Sequence, residues 1–199
     1  MNLSFAGCGF LGVYHLGVAA CLSSHAPQFL KNVTAFAGAS AGSLVAAVLA
    51  TSAPLNKCSD YVIDLTHDAR RHPLGPFNPQ FDLVGNLRRG LELHLPSNSH
   101  RVCSGRLFVS VTSLKDRKNV IISEFDSKEE LIQVWKKHFI APKFLVKSNF
   151  QWSVIKQNQT KYLPVETFHR WRAQSWNVWT CICYEFGTSI NIHHFYLLQ

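Results

Sequence analysis

The stretch AFAGASAGSLVAAVLA, residues 35–50, limits the fold more than any other part of the chain. Ser40 is flanked by Gly38, Ala39, Ala41 and Gly42, with short apolar runs on either side. VTAFA (33–37) reads as a buried strand, and the Ala/Leu/Val run from about 41 to 51 reads as a helix. A strand that turns straight into a helix through a serine leaves little space at the turn, so the neighbours must be small. The helix that starts there directs its free amides and positive dipole end at the turn. In this setting GxSxG marks Ser40 as a candidate nucleophile, and the competing reading is a plain Gly/Ala-rich helix start.

A second glycine motif lies upstream. NLSFA (2–6) has the pattern of a short buried strand, and Gly7-Cys8-Gly9-Phe10-Leu11-Gly12 comes directly after it. GxGxxG after a strand can be a dinucleotide fingerprint, which needs an acidic residue about 20 positions further on. Here the region His25 to Val33 has none. The other reading is an oxyanion hole, in which glycines leave successive amides bare toward the charge formed when a serine attacks an ester carbonyl. A glycine loop with a serine elbow some 30 residues later is explained best as one hydrolase site.

Two successive strand–glycine turn–helix units predict an α/β domain with a mainly parallel sheet. Helices are expected over 13–24, 55–71 and 81–95, with the Pro/Gly-rich connector HPLGPFNP at 72–79. RLFVSVTSL (106–114) and NVIISEF (119–125) read as strands joined across KDRK, and Ser127 and Glu130 stand at capping-box spacing for a further helix. At 199 residues, 47% hydrophobic and 16% charged, the chain is expected to fold rather than stay disordered. The net charge of +8 is uneven: residues 1–134 carry 12 Lys/Arg against 10 Asp/Glu, and residues 135–199 carry 8 against 2. All five tryptophans lie in that second part. We therefore divide the chain into a core at 1–134, which holds both motifs, and a divergent basic, Trp-rich tail at 135–199. No Lys/Arg run of the nucleic-acid-arm type occurs, so no nucleic acid partner is expected. The six cysteines are scattered and Cys181-Ile-Cys183 is not a CxxC, so neither a metal site nor another cofactor is expected. The first 24 residues lack a basic leader segment, and residues 35–50 are shorter than the ~20 residues of a membrane span. A cytoplasmic protein that visits lipid surfaces is the expectation.

FAGCGFLGVYHLGVAACL together with FAGASAGSLVAAVL resembles the patatin-like phospholipase domain family, in particular its adipose triglyceride lipase and adiponutrin branch. The similarity continues through HPLGPFNPQFDLVGNLRRGLELHLPSNSH and SGRLFVSVTSLKDRKNVIISEFDSKEELIQ, covering about residues 2–134. Cys8 and Leu11 depart from the general family loop, which has glycine and Arg or Lys there, but match the triglyceride lipase branch. The resemblance implies a three-layer α/β/α domain and hydrolysis of acyl esters in triacylglycerol or phospholipid. It also implies neutral-lipid breakdown at a lipid-droplet or membrane surface, with room for a protein co-activator.

The same resemblance implies a Ser–Asp dyad whose aspartate lies in a DGG or DGA motif. None of Asp60, Asp64, Asp68, Asp82, Asp116 or Asp126 precedes a glycine, and there is no aspartate beyond Asp126. Asp116 reads as a turn residue, Asp126 as part of a helix N-terminus, and His15 as a packed or capping histidine. Glu166, His138 and His169 have nothing to place them beside Ser40. Two readings stay open. In one, the C-terminal part has departed from the family by splicing or an altered gene model, leaving the sheet incomplete at its C-terminal end. In the other, the protein is a non-catalytic relative that binds or regulates at a lipid surface, where the Trp-rich tail could sit; the competing reading is that those tryptophans are core or unselected sequence.

Overall fold

The computed structural model describes residues 1–112, 119–140 and 162–164. Strand β1 (Asn2–Phe5) pairs in parallel with β2 (Ala35–Ala39), which pairs in parallel with β3 (Leu107–Thr112). β4 (Asn119–Ile122) returns antiparallel to β3, and β5 (Tyr162–Pro164) is antiparallel to β4. The order is β1-β2-β3-β4-β5, so four of the five strands point the same way. Among the described residues the sheet is open, with β1 and β5 at its ends.

Alternation along the strands divides the sheet into two buried faces. Leu3, Phe5, Phe36, Leu107, Val109 and Ile122 share the larger core cluster, while Ala35, Ala37, Phe108 and Ile121 form a second one. Burial on both faces is what a three-layer α/β/α domain requires. The larger face is covered by α1 (Gly12–His25), α3 (Ala41–Thr51), α4 (Leu55–Arg70), α5 (Leu83–His94), α6 (Ser99–Cys103) and α7 (Lys128–Ile140). A short α2 (Pro27–Lys31) closes the connection from α1 to β2.

The expected elements are present, with shifts at their ends. β2 runs over 35–39 and not 33–37, because pairing starts where Ala35 meets Asn2; Thr34 instead donates its amide to the Met1 carbonyl at 2.8 Å. β4 stops at Ile122, since Phe125 turns away to accept from and donate to the Ser104 hydroxyl. The five-residue helices α2 and α6 have no periodic signal and were not expected. The turn expected at KDRK lies outside the described residues.

At the start of α7 the Glu130 amide donates to Ser127 Oγ at 3.0 Å, and the Glu130 carboxylate accepts from the Asp126 amide at 2.7 Å. This is the capping arrangement the spacing predicts. α7 runs through the composition shift at residue 134 and carries Trp135, 1% exposed, into the main core.

Trp135 does more than fill space. Its indole N–H donates to Ser43 Oγ at 2.9 Å, and the Ser43 hydroxyl donates to the Ser40 carbonyl at 2.6 Å. The Ser43 amide reaches the same carbonyl at 3.0 Å. A residue of α7 thus anchors the start of α3. Trp135→Phe keeps most of the packing and loses this link, so it should lower the unfolding free energy by about 1–2 kcal/mol in urea titrations.

Candidate active site at the serine elbow

The site is built where the ends of β1 and β2 meet the starts of α1 and α3. Ser40 has φ 50° and ψ −129°, a left-handed conformation rarely adopted by a residue with a side chain. Such strain costs on the order of 1–3 kcal/mol and persists only where surrounding contacts enforce it. Here they are close backbone contacts. A Cβ on Gly38 would lie 2.6 Å from the Gly42 carbonyl carbon and the Ser43 nitrogen. A Cβ on Gly42 would fall on the Ala6 carbonyl oxygen and 2.5 Å from that of Phe5. Both glycines let α3 lie directly against the strand ends. Gly42→Ala has only backbone to displace, so it should cost upward of ~3 kcal/mol and leave little folded protein in a thermal melt.

The glycine motif faces this elbow. After Phe5 the chain passes through Ala6 and Gly7, makes a 3₁₀ turn at Gly9–Leu11 and enters α1 at Gly12. A Cβ on Gly7 would stand 3.4 Å from Ser40 Cβ and from the Ala39 carbonyl oxygen, and one on Gly12 would stand 3.3 Å from Ala41 Cβ. Gly9 takes φ 55°, which turns the loop. The Leu11 amide donates to the Cys8 carbonyl at 3.1 Å, while the Gly9 and Phe10 amides head the turn without an acceptor among the described residues. Ser40 makes no side-chain cap on α3, so the Ala41 amide also heads its helix uncapped. The structure therefore places Gly7, Cys8, Gly9, Phe10, Leu11 and Gly12 in one loop against Gly38, Ala39, Ser40, Ala41 and Gly42. The half-buried Cys8 thiol is pushed up to about 11 by burial, so it stays protonated at neutral pH and is no competing nucleophile.

Among the described residues, Ser40 Oγ has no hydrogen-bond partner. Of the substitutes for a base, Asp126 lies at the α7 N-terminus and His15 is a core residue. Asp116, Glu166 and His169 lie outside the described residues, as does the side chain of His138.

His15, 1% exposed, donates its Nε2 proton to the Ala6 carbonyl at 3.1 Å and stands edge-on to Phe5 at 5.4 Å. It fixes the chain just before Gly7. Burial lowers its pKa below the ordinary 6.5, and the Ala6 bond opposes this only partly. The unfolded chain therefore takes up the proton first as the pH falls. The His15 contribution to stability is complete above about pH 6.5 and is lost as the pH drops through the interval below it. His15→Gln should flatten the pH dependence of the urea midpoint between about pH 7 and 5 relative to the unmodified chain.

A feature the sequence did not announce is an apolar cavity of about 140 Å³ that begins at this loop. Gly9, Phe10, Gly12 and Ala41 line the end near the serine, and Leu44, Val45 and Val48 extend it along α3. α4 and α5 close the other sides with Val62, Leu65, Leu87 and Leu91 among others. The i, i+3, i+4, i+7 spacing of Ala41, Leu44, Val45 and Val48 was legible as one helix face; that it borders a cavity was not.

The family model for patatin-like phospholipase matches residues 3–170, past the division at 134. The chain belongs to the patatin-like phospholipase family. Patatin-like phospholipase domain-containing protein 2 of Rattus norvegicus is 52% identical over 132 residues, covering 66% of this chain and 28% of that protein. Patatin-like phospholipase domain-containing protein 4 of Homo sapiens is 46% identical over 135 residues, covering 67% and 53% respectively. The human 1-acylglycerol-3-phosphate O-acyltransferase PNPLA3 is 44% identical over 131 residues, covering 66% and 27%. The chain thus spans from about a quarter to about half the length of these relatives. No solved structure matches it.

Proposed function

We propose that this chain is a serine-dependent lipid acyl hydrolase module, taking acyl esters of triacylglycerol or phospholipid type. The observation that carries the reading is the strained Ser40 packed against a glycine loop whose Gly9 and Phe10 amides have no acceptor among the described residues, with Gly9, Phe10, Gly12 and the adjacent Ala41 lining an apolar cavity. Ser40 Oγ would attack the ester carbonyl and pass its proton to a base. The lipid alcohol would leave with that proton as the ester C–O bond breaks, and water would release the fatty acid from the acyl-serine. The amides of Gly9, Phe10 and Ala41 are the available donors to the oxyanion. The apolar cavity takes the acyl chain, which supplies binding energy without polar contacts.

The sequence has no Asp-Gly counterpart of the family's dyad aspartate, and this favours a second reading, a lipid-binding relative with little or no turnover. The two readings differ at one atom. An alkyl fluorophosphonate reacts with an activated serine, so the hydrolase reading expects labelling of the purified chain that is lost in Ser40→Ala. Absence of labelling in a folded chain would leave the silent relative. Where labelling occurs, triacylglycerol and phospholipid emulsions should be cleaved by the unmodified chain and not by Ser40→Ala.

The surface beside the glycine loop supports action at a lipid-droplet or bilayer interface, where a protein co-activator could also dock. Leu11 and Tyr14 are 49% and 58% exposed, close to the cavity's near end. Apolar and aromatic side chains of this kind insert at lipid–water boundaries. Replacing both by aspartate should reduce flotation with phosphatidylcholine liposomes several-fold; unchanged flotation would move the lipid-facing surface elsewhere.

A further inference from the structure

The cavity wall contains a tyrosine held in place by an unusual helix contact. Tyr61 on α4 donates its hydroxyl to the Asn86 carbonyl on α5 at 2.6 Å. Its ring lies across Gly90 so closely that a Cβ there would stand 2.5 Å from the ring's Cε1. His94, one turn further along α5, meets the ring edge-on at 5.5 Å. Tyr61, Gly90 and His94 line the cavity, where Tyr61 and His94, with Cys58, are the polar side chains among the described residues.

We propose that Tyr61, seated over Gly90, sets the length of acyl chain this cavity accepts. The inference rests on reading the cavity as the acyl site of Ser40. From Ala41 beside the serine to Val48 the lining covers two turns of α3, roughly 10 Å along the helix axis. The volume of about 140 Å³ is close to that of an engineered apolar cavity that stays dry and takes a benzene-sized guest. As it stands it accepts the first several methylenes of a chain, and a longer chain needs wall space that the Tyr61 ring occupies. The ring is not free to swing aside, because its hydroxyl is bound to α5 and its edge is braced by His94. Gly90 makes this seat possible: any side chain there would displace the ring from α5.

The test uses binding, so it does not depend on turnover. Hexanoate, decanoate and palmitate are titrated calorimetrically into the full chain carrying Ser40→Ala, alone and with a second substitution. Tyr61→Ala removes the wall and should raise the palmitate-to-decanoate affinity ratio about tenfold. Gly90→Ala pushes the ring off its seat and should lower the decanoate-to-hexanoate ratio by a similar factor, while Tyr61→Phe, which keeps the ring on Gly90 but loses the hydroxyl anchor, should raise the palmitate-to-decanoate ratio by less than Tyr61→Ala does. Should Tyr61→Ala fail to fold by circular dichroism, Tyr61→Leu carries the same expectation with a smaller rise. Unchanged ratios in a folded Tyr61→Ala or Tyr61→Leu chain would overturn the proposal, as would failure of all three fatty acids to bind. Fluorophosphonate labelling of Ser40 is read separately on the chain that retains the serine, so failure of the chain-length assignment and failure of the hydrolase reading give different results.

Discussion

Contact between the start of α3 and the ends of β1 and β2 governs the geometry of the whole site. Gly42 lies on the Phe5 and Ala6 carbonyls, and Gly38 lies on the backbone of Gly42 and Ser43. With helix and strands this close, the residue between them cannot keep an ordinary conformation, and Ser40 takes φ 50°. The same approach brings Ala41 next to Gly12 and Ser40 next to Gly7, so two loops about thirty residues apart become one site. A side chain at Gly38 or Gly42 would separate helix from strands before it altered any chemistry.

The strain needs support from outside the turn, and the core supplies it. Trp135 reaches across from α7 to Ser43, which holds the Ser40 carbonyl through both its hydroxyl and its amide. His15 does the equivalent on the loop side by binding the Ala6 carbonyl. Arg106 adds a third brace: it lies over the Phe36 ring at 5.3 Å and donates to the Ala50 and Val33 carbonyls, joining the far end of α3 to the entry of β2. Each brace uses a buried or half-buried polar group whose partner is a backbone carbonyl or a serine. Such bonds fix direction as well as distance, which apolar packing alone does not.

Much of this architecture was legible in the sequence, because steric need leaves a compositional mark. Where backbones touch, the residues must be glycine or alanine, so Gly38, Ala39, Ala41 and Gly42 disclose a strand–turn–helix by composition alone. The alternation in VSVT and NVII, and the capping pair Ser127 and Glu130, are local signals of the same kind. Val33 and Thr34 misled on the start of β2, since their β-branched side chains favour extended backbone while pairing begins only opposite Asn2. The missed features are the long-range ones. Nothing local links Trp135 to Ser43, 92 positions apart, or seats Tyr61 over Gly90. The isolated glycine in LRRGLELHL could be seen, but its reason is a ring on another helix.

The separation of parts in this site also bears on the missing aspartate. The left-handed serine, the bare amides and the apolar cavity are all produced by packing among β1, β2, α1, α3, α4 and α5, and none of them depends on a carboxylate. A chain can therefore lose the base and keep the elbow, since the forces that strain Ser40 are steric. Deleting a triad member in other serine hydrolases leaves a residual acceleration of about 10³–10⁴ from the oxyanion hole and binding alone. On the hydrolase reading proposed above, acyl binding and oxyanion stabilisation belong to the elbow, while proton removal from Ser40 is a separate property. The Asp-Gly sequence is absent, and Ser40 Oγ has no partner among the described residues. The choice between the hydrolase proposed above and a silent lipid-binding relative therefore turns on whether anything accepts that one proton.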